Sequence, residues 1–181
     1  MKNKEILIEK NFSKIKSQIK KIKTDNPERI VIFSPDFNDF EKQDSLNRKV
    51  IEKISNKNFN LNEILDILLI NLKNRKDFQK QRNSGFNQVM AKYLSESNKT
   101  KNKKPIKIGI NFSELKNTKN KKEKSKILGR IQQNIFLCKK FKIPMNFIDF
   151  KGNQLNDLDD FKRDFQSFGL VLGMPTWMVK D

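Results

Sequence analysis

Short runs rich in apolar residues recur along the chain, separated by stretches in which apolar residues return every three or four positions. Short apolar runs are typical of buried strands, and the periodic stretches are typical of amphipathic helices. Six runs predict strands: residues 6–8, 30–33, 65–70, 106–112, 145–149 and 170–172. Predicted strands and helices therefore alternate, which is the order expected of a parallel α/β sheet.

The helical stretches between these runs predict the inner faces of two long helices. One face carries Ile127, Ile131, Ile135 and Cys138, and the other carries Leu158, Phe161, Phe165 and Phe168. Trp177 is expected to pack at the base of the fold. Right-handed crossovers of this kind give either a barrel or an open doubly wound sheet. At 181 residues we expect one domain, residues 1–181, with a core of its own.

The chain is strongly basic, with 39 Lys and Arg against 21 Asp and Glu and a net charge of +18. A charge of this size favours a polyanion such as nucleic acid as the partner. The alternative is compositional bias, because an AT-rich genome enriches Lys and Asn without selection for binding. Asp and Glu codons are not much poorer in A and T, so bias alone should not unbalance the chain, and we favour the polyanion.

Several classes of chemistry are excluded by what the sequence lacks. There is no His, which excludes Ser-His-Asp triads, His general bases and His-ligated metals. The single cysteine, Cys138, forms no disulfide within the chain and is expected to be a small core residue. No glycine-rich phosphate loop follows the first strand. No apolar run approaches the ~20 residues of a membrane span, and we expect a cytoplasmic protein without a membrane partner.

Several blocks resemble, in their order and spacing, the protein component 3 family of archaeal ribonuclease P, which is related to the thirty-kilodalton subunit of the eukaryotic enzyme. An apolar strand containing Asp66 precedes a basic segment, and residues 83–92 are similar to the family's block Gly-x-Asp/Asn-His-Val-Leu-Ala-Lys. The remaining matches are residues 108–113, 140–144, 163–165 and 172–174. The resemblance is strongest over residues 64–175.

Departures from the family pattern fall in five places. Gln88 stands where the family has His, and Asp160 and Lys162 stand where it usually has Arg and Pro. Residues 148–152 replace a stretch of small residues. Residues 73–81 and 98–104 form longer segments than those of the family. These departures concern RNA contacts more than the fold.

The resemblance implies a TIM-barrel-like α/β fold related to the PHP metal-dependent phosphoesterases. It implies a protein subunit of ribonuclease P, the endoribonuclease that removes the 5′ leader from precursor tRNA. In that family the chemistry belongs to an RNA with bound Mg²⁺, so the chain itself would be non-catalytic and would bind no metal. Its expected partners are the ribonuclease P RNA, other protein subunits including a small α/β subunit, and precursor tRNA indirectly.

Family positions and local charge together nominate seven cations as RNA contacts: Arg163, Arg82, Lys92, Lys140 and Lys142, with Arg75 and Lys124 as weaker additions. Arg163 is the strongest candidate, because the planar fork of Arg suits phosphate. Its alternative role is an ion pair with Asp159 or Asp160. Lys140 and Lys142 have the alternative role of complementing a helix dipole at its C-terminus.

Two rival functions stay open at the level of sequence. Asp66, Asp149 and Asp157 lie near predicted strand ends, where a barrel enzyme would place a carboxylate-only metal site for phosphoester hydrolysis. Acids at such positions also serve as helix caps, which is the more common role. The second rival is a generic basic RNA-binding barrel protein, which would differ only in the RNA that it binds.

Overall fold

The computed structural model describes residues 6–9, 30–33, 49, 65–73, 84–99, 104–151, 154–155 and 162–179. Within these residues the chain forms seven strands and five helices. The strands are β1 (Ile6–Glu9), β2 (Ile30–Phe33), β3 (Ile67–Ile70), β4 (Lys107–Asn111), β5 (Met145–Ile148), β6 (Phe150–Lys151) and β7 (Gln154–Leu155). The helices are α1 (Gln88–Asn98), α2 (Phe112–Lys116), α3 (Lys121–Phe141), α4 (Lys162–Val171) and α5 (Thr176–Val179).

Strands β1 to β5 form one sheet in which the spatial order follows the chain order. Every neighbouring pair is parallel. Five of the six predicted strands, and the parallel α/β sheet that they imply, are therefore confirmed. Strands β6 and β7 pair with each other as a short antiparallel ribbon directly after β5.

The centre of the sheet is buried on both faces. All four residues of β3 are buried, and successive residues of a strand point to opposite faces. Leu68 and Ile108 belong to the same apolar cluster as Met90 of α1 and Ile131 of α3. Helices α1 and α3 therefore cover the same face of the sheet, which places their outer sides away from the strands.

Three of the helices begin at an asparagine cap. The side-chain oxygen of Asn87 accepts from the backbone N–H of Met90 at 2.9 Å, and Asn111 and Asn120 cap α2 and α3 in the same way. An Asn cap satisfies backbone donors that have no partner in the first turn of a helix. The many asparagines of this chain therefore have a structural use at these three positions.

The predicted strand at residues 170–172 is wrong, because Leu170 and Val171 are the last residues of helix α4. The helix ends at Gly173, which has φ +95°. The N–H of Gly173 donates to the carbonyl of Leu170 at 3.0 Å, and the N–H of Met174 donates to that of Gly169 at 2.9 Å. This pair of bonds is a Schellman motif, which ends a helix at a residue in the left-handed conformation.

The C-terminal helices pack onto β5 through aromatic side chains. Phe147 of β5 and Phe112 form edge-to-face and tilted contacts with Phe165 and Phe168 of α4, with ring centroids 5.2 to 6.1 Å apart. The predicted packing role of Trp177 is wrong, since its side chain is 43% exposed and Met178 takes the buried position. No helix in the described ranges is long and apolar enough to cross a membrane.

Candidate nucleic-acid interface

Helix α3 runs from one edge of the sheet to the other and carries nominated cations at both ends. It follows β4 and α2 and precedes β5, so its N-terminus lies at the edge where the strands end. Lys124 is near that end, and Lys140 and Lys142 are at the opposite end. At 1.5 Å per residue, Lys124 and Lys142 are ~27 Å apart. The structure therefore divides these three candidates between two edges of the sheet.

Lys142 occupies a backbone conformation that usually belongs to glycine. Its φ is +55°, and it is the non-glycine residue with positive φ in the described part of the chain. Its N–H donates to the carbonyl of Lys139, and the N–H of Ile143 donates to that of Cys138, so α3 also ends in a Schellman motif. Because the left-handed conformation is unfavourable for a residue with a Cβ atom, the helix ending itself does not favour Lys at this position.

We expect Lys142→Gly to raise the free energy of unfolding by about 1 kcal/mol, because glycine adopts the left-handed conformation without strain. Urea unfolding of the variant and the parent measures the difference. The matched control is Lys140→Gly, two residues earlier within the helix, which should lower the free energy of unfolding by up to about 1 kcal/mol. A destabilised Lys142→Gly protein would show that the Lys142 side chain stabilises the fold.

The other described candidates are exposed and lie on different helices. Lys92 is on α1, Lys140 is in the last turn of α3, and Arg163 is in the first turn of α4. The helix dipole favours a cation at the C-terminus, which gives Lys140 a structural role. It disfavours a cation in the first turn, so the dipole gives Arg163 none. Arg75 and Arg82 lie outside the described residues, as do Asp159 and Asp160, the suggested partners of Arg163.

A polar network at the end of β3 was missed by the sequence analysis. One carboxylate oxygen of Glu114 accepts from the N–H groups of Leu72 and Lys73, at 2.8 and 2.9 Å. The fully buried side chain of Arg130 donates from Nη1 to the carbonyl of Leu72 at 2.8 Å. The same Nη1 lies 3.4 Å from Oε1 of Glu123. Helices α2 and α3 thus fix the backbone that leaves β3.

One sequence signal pointed to Arg130. It lies three residues after Ile127 and directly before Ile131, so the period of the helix puts it near the apolar face of α3. A charged residue near a buried stripe is almost never fully buried unless it has a partner. The partners, however, are the carbonyl of Leu72, just after β3, and the carboxylate of Glu123 from an earlier turn of the helix, which spacing alone does not reveal.

The two described acids of the rival metal site, Asp66 and Asp149, do not meet. Asp66 precedes β3 and Asp149 follows β5, and the strand register puts Asp149 six residues further along the strand direction. At 3.3 Å per residue this separates them by ~20 Å. Asp66 lies 3.3 Å from Nζ of Lys104, and Asp149 accepts a hydrogen bond from the hydroxyl of Ser113. Asp157 lies outside the described residues.

The other described residues offer no better metal site than Asp66 and Asp149 do. No group of three or more acids and cysteines is placed to hold a metal ion in the described ranges. The thiol of Cys138 is buried on the inner face of α3, and this burial raises its pKa far above the ordinary range. A buried, protonated thiol is neither a nucleophile nor a metal ligand. The core role predicted for Cys138 is confirmed.

The sequence matches no protein-family model and no curated protein. Its fold, however, resembles that of a chain in the cryo-EM structure of archaeal ribonuclease P with mature tRNA. The superposition has a TM-score of 0.58 at 18% sequence identity and covers 96% of this chain. This chain spans 61% of the length of that one. At this level of identity the likeness concerns the fold.

Proposed function

We propose that this chain is a protein subunit of a ribonuclease P ribonucleoprotein, and that it binds and stabilises the RNA that cleaves the 5′ leader from precursor tRNA. The observation that carries the proposal is the likeness in fold, over 96% of the chain, to a chain of an archaeal ribonuclease P. The sequence blocks between residues 64 and 175 point independently to the same enzyme. Two signals of different kinds, one from the backbone and one from residue types, therefore agree.

The strand order also supports the finer proposal of a single TIM-barrel-like domain of the PHP type. A doubly wound sheet reverses its strand order at a switch point, whereas a barrel adds strands in one direction. Strands β1 to β5 follow one direction, and α1 and α3 cover the same face. The opposite face, which carries Ile67, Leu69 and Gly109, would then be the barrel interior.

The proposed mechanism is neutralisation of phosphate charge. A folded RNA brings its phosphates close together, and Lys and Arg at those points reduce their repulsion. A large folded RNA is met mainly through its shape and backbone rather than its base edges. In this proposal Mg²⁺ belongs to the RNA, the chain is cytoplasmic and non-catalytic, and a small α/β protein subunit is a further partner.

The rival of a carboxylate-only phosphoesterase is less well supported. Such a site needs several carboxylates within reach of one or two metal ions, and Asp66 and Asp149 lie at opposite edges of the sheet. The generic RNA-binding protein is the stronger rival, because the charge of +18 fits any large RNA equally well. Only the identity of the bound RNA separates it from a ribonuclease P subunit.

The deciding experiment isolates the tagged chain from its own cells and sequences the RNA that co-purifies. We expect one RNA to be enriched and to cleave precursor tRNA at the 5′ leader in the presence of Mg²⁺. Enrichment of an RNA without this activity would favour the generic RNA-binding protein. Hydrolysis of a phosphoester by the purified chain with Mn²⁺ and without RNA would favour the phosphoesterase.

Arg163→Ala should weaken binding to that RNA while leaving the fold intact, because the side chain is exposed. Removing one phosphate contact should reduce the slope of log Kobs against log salt concentration by about 1. The control is Arg163→Lys, which keeps the charge and the slope but loses the bidentate fork. Equal affinity and equal slope for Arg163→Ala and the parent would remove Arg163 from the interface.

A further inference from the structure

Helix α3 presents an aromatic side chain to solvent on its outer face, towards its C-terminal end. Phe136 is 65% exposed, and it is the exposed phenylalanine among the described residues. Its position is set by the helix period, because it lies two residues from both Asn134 and Cys138, which point into the core. A step of two residues rotates a side chain by about 200° around the helix axis, so Phe136 points to the side opposite Asn134 and Cys138. No packing contact in the described part of the chain therefore explains an exposed apolar ring at this position.

The same face is basic at both ends and carries no acid. Residues that share it, at steps of three or four, are Lys122, Ser125, Gly129, Gln132, Phe136 and Lys140. The helix has seven Lys and Arg and one acid, Glu123. The carboxylate of Glu123 lies 3.4 Å from Nη1 of the buried Arg130 and 3.9 Å from Nζ of Lys126. Its negative charge is therefore compensated at the side of the helix.

We propose that the outer face of α3 binds single-stranded RNA, with Phe136 stacking on one unpaired base and Lys139 and Lys140 contacting the phosphates beside it. The proposal rests on the proposed function and adds the form of RNA that this face recognises. Single-strand binding sites combine a basic track for the backbone with aromatic side chains on which bases stack. Lys140 lies one helical turn, ~6 Å, from Phe136, so both can contact one nucleotide step.

Charge argues for RNA rather than for a protein partner on this face. The cores of protein–protein interfaces are depleted of Lys, because its ammonium group is strongly hydrated. Lys122, Lys139 and Lys140 are all exposed on α3, and no carboxylate on its outer face balances them. The ring also favours an unpaired base, since the faces of paired bases are covered by their neighbours in the duplex.

The test measures the affinity of the purified full chain for a single-stranded RNA of about 12 nucleotides and for a duplex of the same length. We expect Phe136→Ala to weaken single-strand binding about tenfold and to leave duplex binding within about twofold. Phe136→Trp should retain the affinity, and Phe136→Leu, which is apolar but cannot stack, should not. The salt slope should stay that of the parent for all three variants, because none changes the charge.

Val171→Ala is the matched control, because Val171 of α4 is also an exposed apolar side chain, at 83%, and should change nothing. Unchanged single-strand affinity of Phe136→Ala, with the parent binding the RNA, would overturn this inference and leave the proposed function intact. Loss of a co-purifying protein from the Phe136→Ala chain, with its co-purifying RNA retained, would also overturn it, in favour of a protein interface. Failure of the parent to bind any RNA would overturn both.

Discussion

Arg130→Ala should lower the free energy of unfolding by about 3–5 kcal/mol. The side chain is among the largest that the described core buries completely, so its removal leaves a cavity. Its Nη1 also donates to the carbonyl of Leu72, and that carbonyl would lose a partner in a buried place. Because a domain is stable by only about 5–15 kcal/mol, we expect the variant to unfold near ambient temperature or at low urea concentration.

Two control variants separate the causes of this loss. Arg163→Ala makes the same chemical change at an exposed position and should stay within about 0.5 kcal/mol of the parent. Arg130→Met keeps most of the volume but removes the donor, so it isolates the lost hydrogen bond and should fall between the other two. Urea unfolding followed by circular dichroism measures all three. An Arg130→Ala protein within about 1 kcal/mol of the parent would show that the network does not hold the end of β3.

The contact between Arg130 and Glu123 also affects the charge that helix α3 presents to RNA. Arg130 compensates Glu123 from the inner side of the helix. Glu123→Gln should therefore change RNA binding little, since the carboxylate does not oppose phosphate there. A buried cation of this kind is a structural device, and it should not be counted among the residues that contact RNA, although it contributes to the net charge of +18.

The strands were the part of the fold that sequence predicted best. Residues 30–33 and 145–149 are short apolar runs between polar stretches, and this pattern has few other readings in a chain of alternating elements. Residues 170–172 have the same composition but end a helix. Three apolar residues do not distinguish a strand from the last turn of a helix, and the deciding residue was Gly173, whose positive φ closes the turn.

The candidate interface was predicted less completely, for two physical reasons. Family positions and local charge nominated Lys92 and Arg163, and both are exposed. The ~27 Å between Lys124 and Lys142, however, depends on which edge of the sheet each end of the helix reaches. Phe136 was not nominated, although its phase opposite Cys138 was readable in the sequence. An apolar residue draws notice only when the structure leaves it in solvent, because most are buried.

Gly109→Ala should lower the free energy of unfolding by about 1–3 kcal/mol, and Gly109→Val by more. A Cβ atom at Gly109 would lie 2.7 Å from Cγ2 of Ile67, 2.9 Å from Cδ1 of Ile148 and 3.1 Å from Cδ1 of Leu69. These side chains come from the strands on either side of β4 and share one face of the sheet. Ile67 is branched at Cβ, so its Cγ2 cannot move aside without leaving a preferred rotamer.

Gly173→Ala is the matched control for Gly109→Ala, because its expected loss of stability comes from backbone strain and not from crowding. Nothing lies within 4 Å of a Cβ atom at Gly173, but its φ of +95° strains any residue with a side chain. We expect Gly173→Ala to lower the free energy of unfolding by about 1 kcal/mol. Gly173→Val should lower it further only by the strain that a β-branched side chain adds. At Gly109, by contrast, the cost should grow with the volume of the side chain.

A double-mutant cycle identifies crowding as the cause at Gly109. Ile67→Ala removes the nearest methyl group, so Gly109→Ala should cost less in that background than in the parent, with a coupling of at least about 0.5 kcal/mol. Additive losses would mean that the strands separate to admit the methyl group. Since the face that carries Gly109 is the proposed barrel interior, a positive coupling would also indicate a closely packed layer there, because a face open to solvent would let Ile67 turn away.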